Sequence, residues 1–232
     1  MTLNKRTKKK KKKIRNRLKK MPVFLIPHAG EAYAGVAREK AFLSMSLRSR
    51  MLVKRIHYIS AIHNHKKDID HSYSWVRKEL LQYFPNAKHI VYSPKSWLES
   101  ENLANKLSLT KDLVIGTTDL IHYGPNYKYS DNLSLSVAQR RKWKIDMEKK
   151  FIQTIIDVNS REMRKKYEKN PHLACGPYSI YCLLRYMELQ KVKRKGYIKA
   201  YYDSLETKYT KGISKVNTDS DNFVSYVSIK FI

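Results

Sequence analysis

Cysteine is almost missing from this chain of 232 residues: only Cys175 and Cys182 occur. Two thiols in a chain of this size do not read as a disulfide framework, which argues for a reducing, intracellular setting. Long apolar runs are missing too. No stretch approaches the roughly 20 residues that a membrane-crossing helix needs. The apolar run nearest the N-terminus, Val23 to Ile26, is far shorter than the roughly 7 to 15 residues of a secretory signal core. The expectation is an unsecreted protein with no membrane span, cytoplasmic or nuclear. No internal repeat and no nucleic-acid-binding motif is present. Acids are scarce: 20 Asp and Glu stand against 48 Lys and Arg, a formal net charge of +28.

The excess of positive charge is uneven. Twelve basic residues lie between Lys5 and Lys20 with no acid among them, and without them 36 cations still face 20 acids, leaving +16. Residues 1–20 repel themselves and cannot bury apolar surface, so disorder is expected there. Such a block serves as a nuclear-localisation signal, as a polyanion-binding arm, or simply as a solvated tail. A field of this sign attracts nucleic acid, phosphorylated partners or an anionic membrane face, and it concerns association rather than fold. With no motif beside it, nucleic-acid binding through the tail is expected to be non-specific.

With 42% hydrophobic residues, the length suits one sizeable core. A single domain over 21–232 is expected, opening at Met21 before the run PVFLIP. Strand-like and helix-like segments then alternate, the pattern of a largely parallel sheet flanked by helices. Strands are predicted at Val23–Ile26, Ile56–Ile59, Ile90–Tyr92 and Leu113–Thr117, with β-rich pieces at Tyr197–Tyr202 and Phe223–Phe231. A helix is predicted near Tyr73–Phe84, where Val76, Leu80 and Tyr83 share a face. Another starts at Ser96, where Ser96 and Glu99 read as a capping box. A long helical region follows from about Asn132 to Asp157, then a shorter helix to about Glu168. The last is Pro177–Gln190, with Pro177 in its first turn and Ile180, Leu183, Leu184 and Met187 as its core stripe. Cys182, inside that helix and turned from the stripe, reads as packing.

Three of these strands run into histidines. Val23–Ile26 leads to His28, Ile56–Ile59 to His63, and Leu113–Thr117 to Asp119 and His122. Ligands of open α/β sheets bind beyond the carboxyl ends of the strands, so these side chains should converge on one crevice. A single histidine is more often structural than a ligand; several at equivalent strand ends make coincidence less attractive. Cys175 lies just before the Pro177 helix, where exposed N–H groups and the helix dipole favour a thiolate able to ligate a metal or act as a nucleophile.

Several motifs now line up in order. Pro27-His28-Ala29-Gly30 is followed by Tyr33 and Gly35, and Arg55 to His63 forms a strand that delivers a second histidine. Asp70-His71-Ser72 follows, then Thr117-Thr118-Asp119-Leu-Ile-His122-Tyr-Gly124, Leu173-Ala-Cys175-Gly176 and Val224-Ser225-Tyr226. Over about residues 21–232 this series resembles the Memo (mediator of cell motility) family. The resemblance implies the fold of class III extradiol dioxygenases: α/β, with a mixed, largely parallel central sheet and helices on both faces. It also implies that His28, His63 and Cys175 are metal-ligand positions. Asp119 and His122 would be the candidate catalytic residues lining the pocket, with His71, Asp70 and His65 nearby.

The chain departs from the family pattern in ways that mark a shortened, divergent member. His63 and Asp70 are almost adjacent where relatives carry several dozen residues, so part of the pocket wall should be missing. Asn64 stands where a second histidine usually follows, with His65 one place later, and Pro177 replaces the usual Arg after Cys-Gly. Two imidazoles and a soft thiolate suit copper or iron, with zinc as a third choice, and leave a coordination position open. Ring cleavage is not expected, because its enzymes use a carboxylate where this chain has Cys175. The reading is a metal-dependent redox-type protein. Its alternative is a non-catalytic module that binds phosphorylated peptides or other anions in the same crevice.

Overall fold

The computed structural model describes residues 21–63, 71–190, 192–209 and 220–232. The lysine-rich residues 1–20 and the candidate pocket residues His65 and Asp70 lie outside the described residues.

Four short apolar runs form the parallel half of a seven-stranded sheet: β1 (Val23–Ile26), β2 (Arg55–Ile59), β3 (Lys88–Tyr92) and β4 (Leu113–Thr117). The remaining strands are β5 (His122–Tyr123), β6 (Gly196–Asp203) and β7 (Phe223–Phe231). The order is β3-β2-β4-β1-β7-β5, with β6 paired to β7. Strand β1 runs parallel to β4, with Val23 opposite Val114, while β7 is antiparallel to β1, β5 and β6. The chain therefore leaves β1, builds outward through β2 and β3, and returns to insert β4 between β1 and β2. That reversal opens a crevice at the carboxyl ends of β1, β4 and β2.

Helices cover both faces, which is why the parallel strands are apolar throughout rather than alternating. On one face Phe24, Ile26, Ile56, Tyr58 and Ile115 pack with Phe42 of α1 (Glu31–Leu43) and with Val76 and Leu80 of α3 (His71–Tyr83). On the other, Val23, Leu25 and Val114 meet Leu107 of α4 (Trp97–Leu107), Phe151 of α5 (Val137–Ile156) and Leu183 of α7 (Pro177–Leu189). Each such side chain contributes about 1.5–3 kcal/mol by leaving water. Two short helices, α2 (Leu47–Met51) and α6 (Ser160–Lys169), complete the shell.

Strands β1, β4 and β7 have the predicted bounds, and β2, β3 and β6 begin one or two residues early. The long helix begins at Val137, not near Asn132. Ser136 caps it in a reciprocal capping box with Gln139, and Asn132 is left-handed at φ 63°, which ends any helix upstream. At α4 only half of the predicted box forms. Ser96 accepts from Glu99 N, but the Glu99 carboxylate accepts from Lys95 N instead of Ser96 N. Cys182 is fully buried, as expected of packing, in a helix whose neighbouring Leu183 and Tyr186 are buried as well. No described helix is long and apolar enough to cross a membrane.

Candidate functional site

The strand ends are stitched to one another by side chains that no periodicity reveals. Thr117 Oγ1 accepts from Ala61 N at 2.9 Å, and Ser179 Oγ accepts from Thr117 N at 2.8 Å while donating to Ile59 O at 2.7 Å. Thr118 N donates to Ile26 O at 3.0 Å. The carboxyl ends of β1, β2 and β4 and the first turn of α7 are thereby locked in one register. The loop bearing Cys175 is held to the same point: Cys175 N donates to Asp119 O at 3.2 Å and Gly176 N to Thr118 Oγ1 at 3.1 Å. Gly176 is needed for that approach. A Cβ built on it would lie 2.5 Å from Thr117 O and 2.9 Å from the Ala61 Cβ.

These contacts bring five predicted residues together. His28 Nε2 lies 3.2 Å from His63 Nε2 and 3.5 Å from Cys175 Sγ. The ligand atoms of His28, His63 and Cys175 all fall within 4.8 Å of one another, as do those of Asp119, His122 and Cys175. Asp119 divides its work between two oxygens. Oδ1 accepts from His28 N at 2.9 Å and Ala29 N at 3.4 Å; Oδ2 faces His28 Nε2 at 3.6 Å and His122 Nε2 at 3.9 Å. Burial alone would raise the Asp119 carboxyl. The charges of His28 and His122 and the hydrogen bond from the His28 amide outweigh it and hold the pKa at about 2.

Cys175 differs from expectation. Its thiol is pushed well above the usual range, first by burial and then by the Asp119 charge, so the α7 dipole does not produce a thiolate here. The thiol accepts from Asp119 N at 3.2 Å, and a metal would have to displace its proton.

Above this cluster lies a cavity of about 560 Å³, walled by Tyr33, Trp75, Tyr127 and Tyr226 and bordered by Ser204 and Asn222. Trp75 and Tyr127, on α3 and just after the Gly124-Pro125 turn, carry no signal of this in the sequence. Tyr226 stands in the Val224-Ser225-Tyr226 motif but reads there only as strand. His71 begins α3, and the position of its side chain is not described. A larger cleft of about 1070 Å³ lies between α4, α6 and α7. Salt bridges from Arg185 to Glu101 and Glu188 cross it, and it has no histidine or cysteine in its wall.

Two of the three donor separations match those around a single ion, and the third, His63 to Cys175, is within 4.8 Å. Ligands held tetrahedrally at about 2.0–2.3 Å from one centre lie roughly 3.3–3.7 Å apart, close to the 3.2 and 3.5 Å found here.

No curated protein matches the chain. The family model described as Memo-like protein matches residues 97–230, a segment that holds Asp119, His122, Cys175 and all but the last residue of β7; His28 and His63 precede it. With more than half of its length matched, and with the motif order anticipating the same result, the chain belongs to the Memo-like protein family.

Proposed function

We propose that His28, His63 and Cys175 hold one metal ion, copper or iron in preference to zinc, and that the protein performs metal-dependent redox chemistry in the cavity above them. The observation that carries this reading is the convergence of two imidazole Nε2 atoms and one Sγ at ligand-to-ligand spacing, beside the buried carboxylate of Asp119. A bound copper or iron ion would supply a one-electron couple and a Lewis-acid centre.

The chain's own residues have separate tasks. Asp119 Oδ1 fixes the His28 backbone, while Oδ2 presents negative charge to both His28 and His122. The His122 side chain is 30% exposed, but its Nε2 is shielded from solvent, 3.9 Å from Asp119 Oδ2; its task is to pass a proton between that carboxylate and a substrate in the cavity. Tyr226, Tyr127 and Trp75 give the cavity an aromatic wall that favours a planar or apolar substrate and limits water.

The alternative, a module for phosphorylated peptides or other anions, meets an obstacle. The residues that line the cavity include the Asp119 carboxylate and no Lys or Arg, so an anion would find no guanidinium or ammonium there to pair with.

Elemental analysis of the purified protein beside His28→Ala and Cys175→Ala, each checked for folding by circular dichroism, tests the proposal. About one metal per chain in the parent, lost in both variants, is expected. A folded parent that takes up none after anaerobic loading with Cu(I), Fe(II) or Zn(II) would overturn it.

A further inference from the structure

Charge is distributed unevenly between the two poles of the sheet. The loops at the cavity pole are close to balanced: residues 118–136 contain Asp119, Lys128 and Asp131, and residues 27–30 and 170–176 contain no Lys, Arg, Asp or Glu. Every described helix-to-strand connection ends at the other pole, because β1 to β4 are parallel and the register Gly196–Phe231–Val23 brings the start of β6 to the same edge. There the balance is lost. Residues 44–54 carry Arg48, Arg50 and Lys54 with no acid, β2 and β3 open on Arg55 and Lys88, and the connection before β6 adds Lys193 and Lys195. Asp112 is the one acid in these connections among the described residues. It is already neutralised by Arg55, at 2.8 Å, and sits beside His57. By contrast, Lys54, Lys88, Lys111, Lys193 and Lys195 pair with no carboxylate among the described residues.

The same loops expose apolar side chains. Leu47 is 65% exposed, Leu52 52% and Leu109 90%. Leu52 and Leu109 belong to connections that the Arg55–Asp112 bridge ties together. Met21, where the lysine-rich residues 1–20 join the domain, is at this pole as well, its carbonyl accepting from Arg194 Nη1 at 3.0 Å.

We propose that this pole docks on the surface of an anionic lipid bilayer. Unpaired cations would meet acidic headgroups while Leu47, Leu52 and Leu109 enter the headgroup boundary, leaving the cavity facing the aqueous side. Charge alone would suit nucleic acid equally well. The exposed leucines separate the two, since a phosphate backbone gains nothing from them and a bilayer takes both kinds of group. Each cation near an anionic leaflet is worth about a five-fold gain in partition, so several acting together suffice for reversible binding with no inserted helix.

The test is co-sedimentation of the full chain with vesicles of phosphatidylcholine containing phosphatidylserine, with phosphatidylcholine vesicles alone, and binding to a short DNA duplex. Two variants alter the pole, Leu52→Ser with Leu109→Ser, and Lys54→Gln with Lys111→Gln and Lys193→Gln. A third replaces Lys8 to Lys13 by Gln. Of the two kinds of vesicle, only the anionic one is expected to bind, with on the order of ten-fold loss in the leucine variant while any duplex affinity stays as in the parent, and on the order of a hundred-fold loss in the lysine variant. Leu109→Ser alone, at a position this exposed, gives the same direction if the double variant folds poorly. Leucine variants that bind vesicles like the parent would overturn the proposal. So would binding abolished by the Lys8–Lys13 replacement and untouched by the pole variants, or duplex binding without vesicle binding.

Discussion

Arg38 and Glu79 meet inside the protein, and their pairing brackets His28. Arg38 Nε donates to Glu79 Oε2 at 2.7 Å and Nη2 to Oε1, while Nη1 donates to the carbonyls of Pro27 at 3.2 Å and Ala29 at 2.6 Å. The residues on either side of His28 are thus held by one guanidinium. Both partners are buried, Arg38 completely, so desolvation offsets much of their attraction and the gain is geometric rather than energetic.

The first prediction concerns that clamp. Glu79→Ala leaves a buried guanidinium without its partner and should destabilise the fold by about 3–5 kcal/mol, measured by urea unfolding. Arg38→Lys keeps the charge but loses the planar fork. It should fold and yet retain less metal than the parent. Equal metal content in a folded Arg38→Lys protein would remove the positioning role.

Gly176→Ala tests the stitching of the Cys175 loop. The added methyl would meet Thr117 O at 2.5 Å, and Thr118 Cβ at 3.1 Å on another side. Backbone cannot yield as a flexible side chain does. A loss of about 1–3 kcal/mol or more is expected from overpacking, together with displacement of Cys175 from His28. Thermal melting and metal content read the two effects separately.

Tyr201→Phe probes the support behind the Asp119–His122 loop. Glu148 is fully buried, accepts from Ile121 N at 3.1 Å and from the Tyr201 hydroxyl, and lies beside Lys144. Burial raises its carboxyl despite the Lys144 charge. Removing the hydroxyl strips one partner from a buried acceptor and should lower stability by about 1–3 kcal/mol. An unchanged unfolding midpoint would mean that Tyr201 contributes packing only.

How much of this was legible follows from the size of the side chains involved. Strands β1 and β4 announce themselves through Val, Leu and Ile, and α7 through Ile180, Leu183 and Met187. Helix α1 does not, because apart from Phe42 its buried apolar face is Ala34, Ala37 and Ala41 with Gly35 between them, and small residues give little amphipathic contrast. Arg38 is hidden for the same reason: a charged residue in an alanine-rich stretch reads as surface until its partners just after β1 and on α3 are seen. The convergence of His28, His63, Asp119 and His122 was legible because each follows a strand whose end was predicted, and Cys175 joined them because it directly precedes the predicted Pro177 helix. The cavity wall was not, since Trp75 and Tyr127 reach it from one helix face and one turn whose directions depend on the assembled sheet.

The last prediction is a pH dependence. His89 Nδ1 lies 3.0 Å from the Tyr73 hydroxyl, while its Nε2 is buried with no partner among the described residues. Burial first, and the Arg77 charge second, lower its pKa below the ordinary 6.5. In the window below 6.5 the unfolded chain therefore binds more protons than the folded one. The contribution of His89 to stability is complete above about pH 6.5 and is lost as pH falls through the depressed folded value. Other ionisable groups add to any pH dependence of the whole protein, so the difference between parent and His89→Gln is the informative quantity. The parent's melting temperature should fall more between about pH 7.5 and 5 than that of His89→Gln. Parallel falls in the two proteins would show that the fold accommodates the charged imidazole and that the buried Nε2 gains a partner once protonated.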